Sequence, residues 1–189
     1  MANTIINIAT GKTVLLLFII TNLVYLVMLL VTIPMTMEFS NGMDLLDMMP
    51  EGYDAEYVKM LMDTLGTEGR YIYLTRQIPA DMIYPALFAI CYCLVMAYFF
   101  RKLNKQNSSL FILCYLPLLA GLADYLENIG IISLLRSYPD INPLTVSLTS
   151  SFSLVKSIST TVFFVIILIQ IITLGIKAIR RKIHKETHH

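Results

Sequence analysis

Residues 110–135 read LFILCYLPLLAGLADYLENIGIISLL, an apolar run that is long enough to cross a bilayer as one helix. Three polar residues, Asp124, Glu127 and Asn128, interrupt its second half. Each ionised carboxylate near the centre of a spanning helix costs about 2.5–3.5 kcal/mol of insertion free energy, whereas an apolar residue contributes only about 0.3–0.6 kcal/mol. Partners from other parts of the chain must therefore satisfy Asp124 and Glu127.

The composition of the whole chain places it in a membrane. Of its 189 residues, 57% are hydrophobic and 14% are charged, and the mean hydropathy is +0.70. Values of this size indicate that lipid, rather than water, is the main solvent of the chain. Four apolar runs predict membrane-spanning helices at residues 13–37, 80–101, 110–135 and 151–176.

The predicted fold class is all-α: an integral membrane four-helix bundle with up-down-up-down topology, forming a single domain over residues 1–189. The loop after the first span, residues 38–69, contains a predicted short amphipathic helix over residues 55–65. Asp54 is its expected N-cap and Gly66 its expected end. The pattern leaves open whether this helix is a structural lid or a substrate gate.

Charged residues are divided between the two sides of the predicted bundle. Because basic flanks stay cytoplasmic, the division predicts that both termini are cytoplasmic and that the acidic loops are external. The basic tail, residues 177–189, is expected to act as this orientation signal, with binding of anionic lipid headgroups as the alternative. The basic flanks are Lys12, Arg101, Lys102, Lys105, Lys177, Arg180, Arg181, Lys182 and Lys185, and the opposing acids are Glu38, Asp44, Asp47, Glu51, Asp54, Glu56, Asp63, Glu68, Asp81 and Asp140.

Polar side chains of the third and fourth spans fall at a similar depth. Asp124, Glu127 and Asn128 have i, i+3, i+4 spacing and share one helix face. Gly121 on the same face allows a neighbouring helix to approach closely. At a rise of about 1.5 Å per residue, Glu127 lies roughly 12 Å and Lys156 roughly 7–8 Å inside the outer ends of their spans. We predict that Lys156 pairs with Glu127 or Asp124.

The second span adds a carboxylate near its outer end. Asp81 lies there with Gln77 and Tyr84, and Arg76 is its predicted partner. Three carboxylates against two cations leave one negative charge in excess, and an apolar environment favours its neutralisation by a proton or by a bound cation. The predicted ligand-binding residues are Asp81, Asp124, Glu127, Asn128, Lys156, Arg76 and Tyr84.

A series of short motifs resembles the pattern of a group of small, uncharacterised four-span membrane proteins of prokaryotes. The resemblance covers residues 69–156 and implies a prokaryotic plasma membrane as the location, but no particular activity. The motifs are Gly69-x-x-x-Tyr73, Asp81-x-x-x-Pro85, Leu116-Pro117, Asp124-x-x-Glu127-Asn128, Tyr138-Pro139 and Lys156.

The architecture also resembles that of the EXPERA superfamily, the sterol-isomerase and sigma-2-receptor group. The shared features are a long outer loop after the first span, acids near the outer ends of spans and a basic tail. That resemblance implies a pocket lined by acids that binds sterols or other amphipathic molecules. The predicted spans contain no histidine or tryptophan, so the resemblance implies the pocket and not the proton shuttle of the isomerases.

Three functions fit these residues. The first is binding or transport of an amphipathic ligand, a lipid or a cation by the acidic pocket. The second is an intramembrane enzyme that acts on a lipid, with Asp124, Glu127 and Lys156 as catalytic residues. The third is a structural or accessory subunit in which the ion pairs fix helix register. The expected partners are membrane lipids and a small amphipathic ligand or cation.

Other classes of function lack the residues that they need. All three histidines, His184, His188 and His189, lie in the tail, so we expect no metal site and no cofactor. The cysteines, Cys91, Cys93 and Cys114, form no CxxC pair. The one basic run lies beside the membrane, so we expect no nucleic-acid partner.

Overall fold

A computed structural model describes residues 2–186 of the chain, and side-chain surroundings for residues 4–180. The side chains beyond Arg180 and the whole of residues 187–189 lie outside the described part. The predicted role of the basic tail, residues 177–189, falls largely on these residues. The described chain is helical throughout apart from its connections, which confirms the all-α class. The α-helices are α1 (Ala2–Ile8), α2 (Gly11–Val27), α3 (Ile33–Met37), α4 (Ala55–Ile72), α5 (Ile78–Asp81), α6 (Tyr84–Lys102), α7 (Leu116–Ser137) and α8 (Pro143–Glu186).

Four helical stretches are long and apolar enough to cross a membrane, as the sequence predicts. Large apolar side chains cover the outside of the molecule, among them Leu30 on the first stretch and Leu168 on the last, which are 70% and 57% exposed. Lipid solvates such a surface, whereas water would not. The four stretches are Gly11–Met37, Ala55–Lys102, Ser109–Ser137 and Pro143–Arg180.

The start of the last helix differs from the sequence-based boundary. Residues 143–150 were expected in a loop, but α8 already begins at Pro143. Proline is favoured in a first helical turn, where a backbone N–H has no helical partner. The side chain of Asn142 accepts a hydrogen bond from the Leu144 N–H at 2.9 Å and so caps the helix.

Two short π-helical segments interrupt the helices, and each ends two residues before a proline. Met28–Thr32 precedes Pro34, and Tyr73–Gln77 precedes Pro79. Proline has no N–H and its ring clashes with the carbonyl one turn earlier, so the turn before it widens. A separate interruption occurs in α4 at Gly66, whose backbone has φ 61° and ψ −170°. The Asp54 carboxylate caps the start of α4 by accepting from the Tyr57 N–H at 2.8 Å.

The helices pack in chain order and leave a gap on one side. α2 packs on α6, α6 packs on α7, and α7 packs most extensively on α8. No comparably extensive packing joins α2 to α8 within the described residues. Gly121 of α7 permits a close approach of α6, because a Cβ there would lie 2.7 Å from the carbonyl oxygen of Pro85. This confirms the prediction that Gly121 allows a neighbouring helix to approach closely.

We predict that Gly121→Ala lowers the free energy of unfolding by about 1–3 kcal/mol, because the added methyl group overpacks against a backbone carbonyl that cannot rotate away. Unfolding of the protein in mixed micelles, followed by circular dichroism during titration with dodecyl sulfate, measures the change. Gly175→Ala is the matched control, since a Cβ at Gly175 meets no atom within 4 Å. Equal unfolding midpoints for the two variants would contradict the prediction.

Candidate functional site

Lys156 of α8 forms ion pairs with two carboxylates of α7. Its Nζ lies 3.3 Å from Oδ1 of Asp124 and also contacts Oε2 of Glu127. The hydroxyl of Ser153, one turn earlier on α8, donates a hydrogen bond to Oε1 of Glu127. The pairing predicted from the spacing of these residues is therefore present, and it satisfies both carboxylates of the third apolar run.

The three charged side chains differ in their exposure. The Glu127 side chain is completely buried, whereas those of Asp124 and Lys156 are 11% and 21% exposed. Residues three apart on a helix share a face but point about 60° apart, so Asp124 reaches a cavity and Glu127 stays between the helices. Glu127 thus holds Lys156 in position, and Asp124 and Lys156 offer polar atoms to the cavity.

A segment of the loop after the first span, residues 45–50, lies over this ion-pair cluster, and we call it the strap. Leu45 and Leu46 are completely buried and fix it to the bundle. The main-chain carbonyl of Asp47 accepts a hydrogen bond from Lys156 Nζ at 3.2 Å. The Asp47 carboxylate accepts from the Tyr73 hydroxyl and, at 2.9 Å, from Gln77 Nε2. The strap therefore adds the carboxylate of Asp47 to those of Asp124 and Glu127.

The chain directly after the strap, at Gly52 and Tyr53, is held against α8. The Tyr53 N–H donates to Oγ of Ser150 at 2.8 Å, and Gly52 packs so closely there that a Cβ would lie 2.5 Å from the same oxygen. Gly52 also has φ +81°, a conformation that favours glycine. Burial, together with the nearby negative charge of Glu127, raises the pKa of the Tyr53 phenol above its ordinary value, so this group stays neutral.

Asp81 of α5 lies beside the ion-pair cluster, and within the described residues no cationic side chain forms an ion pair with it. The residue is only 5% exposed, and among the residues that the structure describes its Oδ2 atom has no hydrogen-bond partner. Asn128 is completely buried and donates a hydrogen bond to the main-chain carbonyl of Asp81 at 3.2 Å, which ties α7 to α5. The structure thus brings Asp81 to the predicted polar layer.

The predicted ion pair between Arg76 and Asp81 is wrong. Arg76 is exposed, and within the described residues it forms no ion pair with Asp81. Two residues five positions apart point about 140° away from each other on an α-helix. The π-helical segment Tyr73–Gln77 widens the turn between them further.

A cavity of about 690 Å³ extends from the strap into the bundle between α2 and α8. Its outer end is polar and includes Asp47, Asp81, Asp124 and Lys156. Its inner end is aromatic, with Tyr84, Phe88, Tyr92 and Phe164. Between the polar and the aromatic end, three α8 residues that carry hydroxyl groups line the cavity: Ser157, Thr160 and Thr161.

The predicted site residues therefore fall into three groups. Asp81, Tyr84, Asp124 and Lys156 line the cavity. Glu127 and Asn128 lie behind this lining and hold it in place, and Arg76 lies outside the cavity lining. Within the described part of the chain, no group of three histidine, cysteine, aspartate or glutamate residues is arranged to hold a metal ion.

Sequence reasoning missed Asp47, because its position depends on how the loop folds back over the helices. One signal was available: the strap reads LLDMMP, an apolar run inside an otherwise acidic loop. Such a run predicts a buried segment. The aromatic inner end of the cavity was also missed, since aromatic residues in a span are equally common in cores.

Comparison of the chain with protein-family models, with curated proteins and with solved structures found no match. The architecture and the side-chain contacts alone therefore carry the functional argument.

We predict that Lys156→Met destabilises the protein by about 3–5 kcal/mol, because it leaves two buried carboxylates without their cation. Adding Glu127→Gln to Lys156→Met recovers part of this loss, since one uncompensated charge is then removed. Arg76→Met is the control that removes an exposed cation from outside the cluster. The free energy of unfolding in mixed micelles measures all of these variants. An increase in stability for Lys156→Met would contradict the prediction.

Proposed function

We propose that this protein binds or transports a small amphipathic molecule in the cavity between α2 and α8. The observation that carries the proposal is the polarity of the cavity, with charged groups at one end and aromatic rings at the other. An amphipathic molecule likewise has a polar end and an apolar end. The volume of about 690 Å³ lies within the usual range of about 300–1,000 Å³ for small-molecule sites.

The molecule enters, in this proposal, sideways from the lipid. The strap covers the outer end of the cavity and is fastened to Lys156, Tyr73 and Gln77. The side between α2 and α8 lacks extensive helix packing. A lipid-soluble molecule reaches that side by diffusion within one leaflet. The resemblance to the EXPERA superfamily, with its acid-lined pockets for amphipathic ligands, agrees with this proposal.

We further propose an up-down-up-down arrangement with both termini in the cytoplasm of a prokaryotic cell, so that the strap and α4 are external. The support is the placement of basic residues, of which Lys12, Arg101 and Lys102 flank ends of spans on one side. The cavity and its carboxylates then lie in the outer half of the bilayer.

The enzyme hypothesis has weaker support from the contacts. Its catalytic residues would be Asp124 and Glu127, and Lys156 already pairs with both of them. A general acid or base needs a free position for the proton of its substrate, and the buried Glu127 offers none to the cavity. The accessory-subunit hypothesis explains the ion pairs but gives no role to the cavity.

We predict that an aliphatic diazirine amphiphile labels Phe88 and Tyr92 when the protein is irradiated in lipid nanodiscs. These two residues are only 6% and 8% exposed, so a probe reaches them through the cavity. Thr160→Phe fills the cavity and should abolish these labels. Ile158→Phe places the same ring on the lipid-facing side, where Ile158 is 62% exposed, and should leave them unchanged.

Peptide mass spectrometry locates the labels, and labels on the exposed residues of α2 serve as an internal standard for the probe concentration. Labelling confined to exposed, lipid-facing residues of the wild-type protein would overturn the proposal.

We predict that a membrane-impermeant maleimide labels Glu51→Cys, but not Asn107→Cys, on intact cells. Both positions are exposed, one beside the strap and one in the turn before the third span. The three native cysteines are buried and give little background. Both variants should react after the membrane is permeabilised, and the opposite pattern on intact cells would reverse the proposed orientation.

A further inference from the structure

The outer end of the cavity carries far more negative than positive charge. Three carboxylates line it, those of Asp47, Asp81 and Asp124, and Glu127 lies directly behind. Lys156 is the one cationic side chain among the described lining residues. If every group is ionised, four negative charges face one positive charge.

Lys156 has no capacity left for a further partner. Its Nζ contacts Asp124 and Glu127 and donates to the carbonyl oxygen of Asp47. An ammonium group has three hydrogens to donate, and three oxygen atoms of the protein already surround this one. An anionic headgroup would have to displace a carboxylate from Lys156 before it could bind there.

Asp81 is a cavity-lining carboxylate that the described part of the protein leaves partly unsatisfied. The residue is only 5% exposed and lines the cavity, and no donor in the described part of the chain reaches its Oδ2 atom. The Asp47 carboxylate differs, because Tyr73 and Gln77 donate to it. A buried carboxylate with an empty acceptor position favours a charged donor brought by a ligand.

The surroundings of Asp81 fit an organic cation better than a metal ion. Within the described residues no three ligating side chains are arranged around a common point. The rings of Tyr84 and Phe88 lie further along the same cavity wall. Aromatic faces attract ammonium groups, and apolar walls suit an alkyl or aryl tail.

We propose that the occupant of the cavity is a lipophilic amine whose protonated nitrogen binds at the Asp81 carboxylate. This inference rests on the proposed ligand cavity and adds the charge of the ligand and the residue that selects it. Asp81 acts as the counter-ion of the ligand, while Asp124 and Glu127 serve Lys156. The ammonium group lies beneath the strap, and the tail extends toward Phe164.

The test compares two probes that have the same tail, tritiated dodecylamine and tritiated dodecanol. Each is titrated at neutral pH against the protein in nanodiscs of zwitterionic lipid, and uptake by empty nanodiscs is subtracted. Wild-type protein should bind dodecylamine saturably and at least about tenfold more tightly than dodecanol, as expected for a hydrogen bond to a charged group. Asp81→Asn should remove this preference and leave dodecanol binding unchanged.

Asp81→Asn keeps the size of the side chain and the main-chain carbonyl that Asn128 contacts, so the fold should persist. Unfolding in mixed micelles verifies this. Asp140→Asn is the matched control, because it removes the same charge from an exposed position outside the cavity lining. It should preserve the preference for the amine.

The outcomes separate this inference from the proposed function. Equal binding of amine and alcohol by wild-type protein would overturn the cationic ligand and leave the cavity as a binding site. An equal loss of both probes in Asp81→Asn would assign Asp81 a structural role and also overturn the inference. Absence of saturable binding of either probe, with unlabelled Phe88 and Tyr92 in the diazirine experiment, would overturn the proposed function itself.

Discussion

The ion pairs of Lys156 with Asp124 and Glu127 are the interaction on which the structure depends. Insertion of two carboxylates in one apolar helix is unfavourable unless a cation from another helix compensates them. Lys156 provides that cation and joins α7 to α8, the most extensively packed pair of helices. Its third contact, with the carbonyl of Asp47, extends the same interaction to the strap. One side chain thus connects two spans and the loop that covers them.

The polar cluster also determines where the cavity lies. Buried carboxylates need nearby donors, and Ser153 donates to Glu127 whereas Tyr73 and Gln77 donate to Asp47. Asn128 adds a hydrogen bond to the main-chain carbonyl of Asp81. These contacts draw α4 to α8 together beneath the strap. Within the described residues, α2 contributes no charged partner to the cluster, and its extensive packing on a long helix is with α6. The space between α2 and α8 is therefore not filled by helix packing and forms the cavity.

Local patterns in the sequence predicted the parts of this arrangement that depend on a single helix. The four apolar runs follow from composition, and the ion pair follows from the i, i+3 spacing of Asp124 and Glu127 with a lysine at similar depth. The partner of Asp81 could not be derived in this way, because the π-helical segment before Pro79 changes the register between Arg76 and Asp81. The start of α8 was missed because Asn142 and Pro143 resemble a turn as much as a helix cap. The contribution of Asp47 depends on long-range packing of the strap, which no local pattern encodes.

The length of α8 has a mechanical consequence. Its 44 residues form a rod of roughly 66 Å, about twice the thickness of the hydrocarbon layer. The rod contacts the strap through Lys156 and continues without interruption to Glu186. A tilt of only about 5° around one end shifts the other end by roughly 6 Å, a distance comparable to one helical turn. A small rearrangement at one end of α8 is therefore converted into a large displacement at its other end.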